Sequence, residues 1–149
     1  MGWQEILLRL GVAAIIGSII GVNREIHHKS AGFRTIAIVC TGTALAVLVA
    51  ASGSDTAAAS RVMQGVVTGI GFLGGGVIVH HVQLQQQQQQ APTEAVEGLT
   101  TAASIWTAAG LGAACGMGYW QLALIGGGLI IGLLAIGGRV ETMVRRRFG

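Results

Sequence analysis

Charge is what this sequence has least of. Only 10% of its 149 residues are Asp, Glu, Lys or Arg, against roughly 25% in a soluble globular domain. A water-facing globular fold is therefore excluded. The few charges fall in short patches, and between them run apolar stretches near the ~20 residues that cross a bilayer. Acidic residues are scarcer still. Asp55 is the only aspartate, and the five glutamates sit at the ends of apolar stretches or between them. Divalent cations such as Mg²⁺ and Ca²⁺ take oxygen ligands, largely carboxylates, so no dehydrated cation site is expected at the bilayer centre. There are two cysteines, Cys40 and Cys115. They are expected near opposite ends of the molecule, too far apart for a disulfide, and neither has metal-ligand spacing. GxSxG, HExxH, CxxC and phosphate-loop patterns are also missing. No enzymatic activity, cofactor or nucleic-acid partner is expected.

Glycine is abundant instead, with 25 residues. In 61-RVMQGVVTGIGFLGGGVIVHH-81 it interrupts an apolar helix-like run again and again. In water each such glycine costs a helix about 1 kcal/mol relative to alanine. In lipid, helices associate by close van der Waals contact, which small residues permit. Small-xxx-small pairs recur in four apolar stretches: Gly17/Gly21, Gly65/Gly69, Gly112/Gly116 and Gly128/Gly132. Together with Gly71 they predict helix-packing positions in a tightly packed bundle. The fold class is an all-α polytopic membrane protein.

Five spans are predicted, at about 3–22, 35–51, 62–80, 99–116 and 120–137, within one transmembrane domain over 1–138. A Gln-rich connector over 81–98 is expected to be a mobile insert, and 139–149 forms a basic tail. Cytoplasmic loops carry the excess of Lys and Arg. Arg24, Lys29 and Arg34 in the first connector and Arg139, Arg145, Arg146 and Arg147 in the tail share one side of a five-span protein. This places the N-terminus outside and the C-terminus in the cytoplasm. The first span has no basic leader before it and carries Glu5, so it is expected to be retained rather than cleaved.

Two segments repeat: 32-GFRTIAIVCTGTAL-45 and 98-GLTTAASIWTAAGL-111. Gly11, Ile16, Gly17 and Gly21 in the preceding helix align with Gly65, Ile70, Gly71 and Gly75. The chain reads as a duplicated pair of helices, spans 1–2 and spans 3–4, with a fifth added. Both copies start on the same side, so the repeat is parallel, as in some transporters.

Three polar groups stand out. Arg24, Glu25, Lys29, Arg34 and Thr35, with Glu97, Thr100 and Thr101 from the repeat's second copy, are expected to gather at the cytoplasmic end. There the threonines would cap the re-entering helices, and Arg24 or Arg34 would pair with Glu25 or Glu97. Glu5, Arg9, Asp55 and Arg61 are expected to form one cluster at the outer end. His27, His28, His80 and His81 all fall at the cytoplasmic ends of spans 1 and 3 and are weak candidates for a transition-metal site. The expected partners are the lipid bilayer, a second copy of the chain in a homodimer, with the fifth span as the interface, and another inner-membrane protein.

Taken in order, 23-NREIHHKSAGFRT-35, 61-RVMQGVVTGIGFLGGGVI-78 and 98-GLTTAASIWTAAGLG-112 resemble the membrane domain of the MgtC/SapB family. The resemblance covers nearly the whole chain. Its characteristic polar and glycine positions would be Arg24, Glu25, Lys29, Gly32, Arg34, Thr35, Asp55, Arg61, Gly69, Gly71, Gly98, Thr100 and Thr101. It implies a bacterial inner-membrane protein linked to magnesium limitation and acid stress, with some members acting on other membrane proteins. Conduction along the glycine-rich helices is the alternative function. The cytosolic C-terminal domain of virulence-associated members is not expected here, since the sequence runs to Gly149. It also has Thr100 and Thr107 where such members can carry Asn and Cys, and it has the Gln-rich connector.

Overall fold

The structure is a computed structural model. It describes residues 1–55, 57–88 and 93–148, and the side chains of all of these except 80–97, 139–142 and 144–148. Five helices follow in chain order: α1 (Trp3–Ile26), α2 (Phe33–Ala51), α3 (Ala58–Gln88), α4 (Thr93–Met117) and α5 (Trp120–Phe148). There are no strands among the described residues. Among the described residues, four helices are long and apolar enough to cross a membrane: α1, α2, the Ala58–Val79 part of α3 and the Trp120–Gly138 part of α5.

The exception, α4, is rich in Ala, Gly and Thr, and its position explains that composition. It packs against all four other helices, and Thr101, Ser104, Ile105, Ala108, Ala109, Leu111 and Cys115 are buried along it. A helix enclosed by protein need not be apolar all round, because lipid touches little of it. Close approach matters more there, and small residues allow it.

The helices outrun the spans predicted for them. α3 continues over 81–88 and α4 begins at Thr93, so most of the connector assigned to 81–98 is helical rather than a loose insert. Glutamine is a good helix former, and nothing in 81–88 breaks the hydrogen-bond ladder. The tail is likewise a continuation of α5 to Phe148.

Glycine contacts give the directions of packing. A Cβ on Gly17 would lie 2.9 Å from Ala37 Cα, and one on Gly21 would lie 2.7 Å from Phe33 Cα, so α1 and α2 run antiparallel in backbone contact. A Cβ on Gly112 would lie 2.1 Å from Cys40 O, and one on Gly116 would lie 2.5 Å from Ala44 O. Numbers rise together along both helices, so α2 and α4 run parallel, the arrangement expected of the duplicated pair. The same register corrects the placing of the cysteines. Cys115 lies one helical turn beyond Gly112, hence only about 5 Å along the axis from the level of Cys40.

The second pair does not copy the first in detail. Gly71 and Gly75, the counterparts of Gly17 and Gly21, would meet nothing within 4 Å, whereas Gly74 sits against Ala102 Cβ. Gly65, Gly69, Gly128 and Gly132 also face open space. Of the predicted packing glycines, Gly17, Gly21, Gly112 and Gly116 pack within the chain. The others do not, because α3 and α5 lie at the periphery and turn those positions outward. On α3 the open glycines Gly65, Gly69 and Gly76 share a face with Phe72, which is 83% exposed.

Two helix ends close in the same way. At α4, Gly118 N–H donates to Cys115 O and Tyr119 N–H to Ala114 O, with Gly118 at φ +91°. At α1, His28 N–H donates to Glu25 O and Lys29 N–H to Arg24 O, with His28 at φ +52°. This paired-bond ending favours glycine at the left-handed position. A side chain there costs about 1–2 kcal/mol. His28→Gly should therefore raise unfolding stability by about 1 kcal/mol, measured by thermal unfolding in detergent.

Candidate functional site

Arg24 is the centre of the site. It lies in the last turn of α1 and is 3% exposed. Its Nη2 donates to Thr101 Oγ1 of α4 at 2.5 Å, and Thr101 is itself 1% exposed. A buried charge requires hydrogen-bonding partners, and a hydroxyl on the facing helix is one. Ser104, one turn along α4, is also buried, and its hydroxyl donates to Thr100 O.

The sequence predicts Glu25 as an ion-pair partner for Arg24 or Arg34, but it does something else. Its Oε2 accepts the Phe33 N–H at 2.8 Å. The residue before Phe33, Gly32, offers no side-chain cap. Glu25 thus reaches across the connector and caps α2, where a negative charge also suits the helix dipole. Gly32 is required for this. A Cβ there would lie 1.9 Å from Glu25 Oε2.

The predicted threonine caps are not caps. α4 begins at Thr93, so Thr100 and Thr101 lie inside it, and Thr35 is exposed in the first turn of α2. Arg34 is exposed and Lys29 half-buried. Glu97 has its side chain outside the described residues. Among the described side chains the inner-end group thus comprises a buried contact, Arg24–Thr101, a capping carboxylate, Glu25, and a surface cation, Arg34.

The outer group separates. Arg9 pairs with Glu5, and its Nη1 donates to Gly116 O at 3.0 Å. Gly116 O is among the last carbonyls of α4, which lack partners within the helix. An arginine there also complements the dipole. The guanidinium lies over Gly118, where a Cβ would be 2.8 Å from Nη2.

Asp55 and Arg61 form a second, exposed pair apart from Arg9. The Asp55 carboxyl is held below its ordinary value of 3.8, first by Arg61 and then by the Ala57 N–H. A carboxylate depressed in the folded state contributes stability above its unfolded pKa and loses it as pH falls through the folded one. The Asp55–Arg61 contact should therefore contribute fully above the ordinary value of 3.8 and fail only as pH falls through the lower, folded-state value. Asp55→Asn should abolish that acid-range transition, followed by the carboxyl chemical shift.

Sequence reasoning missed how the two arginines of α1 relate. Arg24 meets Thr101 and Arg9 meets Gly116, so α1 and α4 lie antiparallel in even register with a clamp at each end. The clamps are about 22 Å apart along α1, inside a hydrocarbon layer of about 30 Å. The partners Thr101 and Gly116 became visible only once α1 was known to lie beside α4.

Histidine does not assemble into a metal site among the described residues. His27 Nδ1 bonds Asn23 O at 2.7 Å, and His28 occupies the left-handed helix ending. The side chains of His80 and His81 lie outside the described residues.

A buried arginine between apolar helices, glycine-tight seams and lipid-facing leucine and isoleucine ridges define a polytopic all-helical membrane protein. A model of the MgtC family matches residues 10–143, and the chain belongs to that family. It is 44% identical over 130 residues to Protein SrpB of Synechococcus elongatus, covering 83% of this chain and 70% of that protein. It is 37% identical over 118 residues to Protein MgtC of Salmonella typhimurium, covering 79% of this chain. The chain spans 46% of the length of that MgtC protein. No solved structure matches.

Proposed function

We propose that the chain is a bacterial inner-membrane protein tied to magnesium and ion homeostasis and to stress adaptation. It works without catalysis, through contact with other membrane proteins. Family membership supports the first part. One observation carries the second. The seam between α2 and α4, where a central path would run, is filled by backbone. Gly112 and Gly116 sit against the carbonyls of Cys40 and Ala44. The outward glycine faces, Gly65, Gly69 and Gly76 on α3 and Gly128 and Gly132 on α5, suit association with other helices, including a second copy in a two-fold dimer.

The second reading, a small ion channel or transporter, is favoured by the parallel course of α2 and α4, since parallel helix-pair repeats occur in transporters. Two measurements separate the readings. A deletion strain should grow poorly in limiting magnesium and recover with the gene, while the purified protein in liposomes should pass no Mg²⁺ or proton current. Selective flux from the purified protein would overturn the regulator reading.

The orientation, N-terminus outside and Arg24 end cytoplasmic, follows from the basic residues. A cysteine at Ser54 should react with a membrane-impermeant thiol reagent on intact cells, and one at exposed Ser30 should react only after lysis. The reverse pattern would invert the assignment.

A further inference from the structure

We propose that the bundle opens at its Arg24 end while staying closed at its Arg9 end, with the Arg24–Thr101 contact as the latch. Two helix pairs, α1–α2 and α3–α4, are joined along α2/α4, α1/α4 and α2/α3, with α5 laid against α1 and α4. The two ends of this joint are built differently.

From the middle of the joint toward the Arg9 end the pairs are joined through backbone. Gly112 lies against Cys40 O, Gly116 lies against Ala44 O, and Arg9 Nη1 donates to Gly116 O at 3.0 Å. Backbones this close are locked in register, because any slide drives a carbonyl into the facing helix.

Toward the Arg24 end the described contacts between the pairs are made by side chains. Arg24 bonds the Thr101 hydroxyl, and Ile20, Ile36, Ile105 and Ala108 belong to one buried cluster. Side-chain contacts re-form after a small rotation, which is how packed helices hinge.

One further observation agrees. Arg24, Thr101 and Ser104, three of the four buried polar residues among those described, lie at the Arg24 end. A seam opened there would expose groups that water can satisfy, where an opened apolar seam would not. The fifth helix packs along the same joint, with Gly127 against Ile16 and Gly126 against Leu111 near the middle and Ile130, Ile131 and Leu134 also set against the core toward the Arg24 end, so an opening there carries α5 with it.

Buried positions at each end report the motion. Ser104→Cys, with Cys40 and Cys115 replaced by alanine, gives one thiol at the Arg24 end. Native Cys115, with Cys40→Ala, gives one toward the Arg9 end. Each is reacted with N-ethylmaleimide in the full chain in liposomes. Thr101→Val keeps the side chain's shape and removes the acceptor. It should speed labelling at position 104 by about tenfold, equivalent to ~1.4 kcal/mol, and leave Cys115 labelling unchanged. Thr101→Ser, which keeps the hydroxyl, should behave like the parent. Arg24→Met should repeat the valine result. Unchanged labelling at position 104 in Thr101→Val would overturn the latch. So would equal acceleration at both thiols, which signals general loosening, and so would failure of Thr101→Val to insert, which makes the contact a folding requirement.

Discussion

Gly112→Ala should destabilise the bundle by about 1–3 kcal/mol, the usual cost of overpacking a close contact, and Gly112→Leu should prevent folding. The added carbon of alanine would sit 2.1 Å from Cys40 O and 2.9 Å from Cys40 C. Both are backbone atoms, so no side chain can rotate away. α2 must move as a body, and that movement also disturbs α1, because Gly17 holds Ala37 and Cys40 from the other side. Gly69→Ala is the matched control. It lies in a helix, meets nothing within 4 Å and should be neutral, or gain up to about 1 kcal/mol from helix propensity. Unfolding by denaturant titration in mixed micelles distinguishes the two. Equal effects at Gly112 and Gly69 would mean that the α2/α4 seam is looser than its backbone contacts imply.

Arg24→Lys should cost about 1.5–3 kcal/mol, the value of a hydrogen bond to a charged group, and Arg34→Lys should fall within about 0.5 kcal/mol of the parent. Lysine keeps the charge but not the planar, multi-donor head that lets one guanidinium reach several acceptors at once. Arg24 needs that geometry because it is buried against Thr101. Arg34 is exposed, and either cation serves there. Thermal unfolding and yield in membranes, compared for the two lysine variants, check the asymmetry. Sequence alone treats the two arginines alike, so equal tolerance would leave Arg24 as one more surface cation.

The membrane class, the five helices and the parallel pairs were legible because hydropathy and glycine spacing carry them directly. Helix ends were less so. Gln83 and Gln85–Gln88 read as a loop by composition, yet glutamine continues a helix as readily as most residues, and α3 runs through them; 89–92 lie outside the described residues. Charge pairing was read wrongly at Glu25, because a carboxylate near arginines suggests an ion pair. Only the three-dimensional course of 27–32 brings it onto the Phe33 N–H. The outer cluster failed for a related reason. Four charges on one side of a membrane need not meet: they form two separate pairs, and Arg9 keeps Glu5 while also reaching a backbone carbonyl, which no residue type announces. The glycines of α3 show the limit of motif reading. Gly65/Gly69 and Gly17/Gly21 have identical spacing, but one pair faces outward and the other is in backbone contact.

The hydroxyl-rich, enclosed α4 also bears on biogenesis. Of the five segments it offers the insertion machinery the weakest reason to leave it in lipid, and it is synthesised fourth. By then α1 and α2 are made, presenting the Cys40 and Ala44 carbonyl ridge and the Arg24 guanidinium as a template. α4 can then partition onto protein rather than into bare hydrocarbon. The order of synthesis thus matches the order of need: three apolar helices come before the one that cannot stand alone, and α5 follows to close over the seam between α1 and α4.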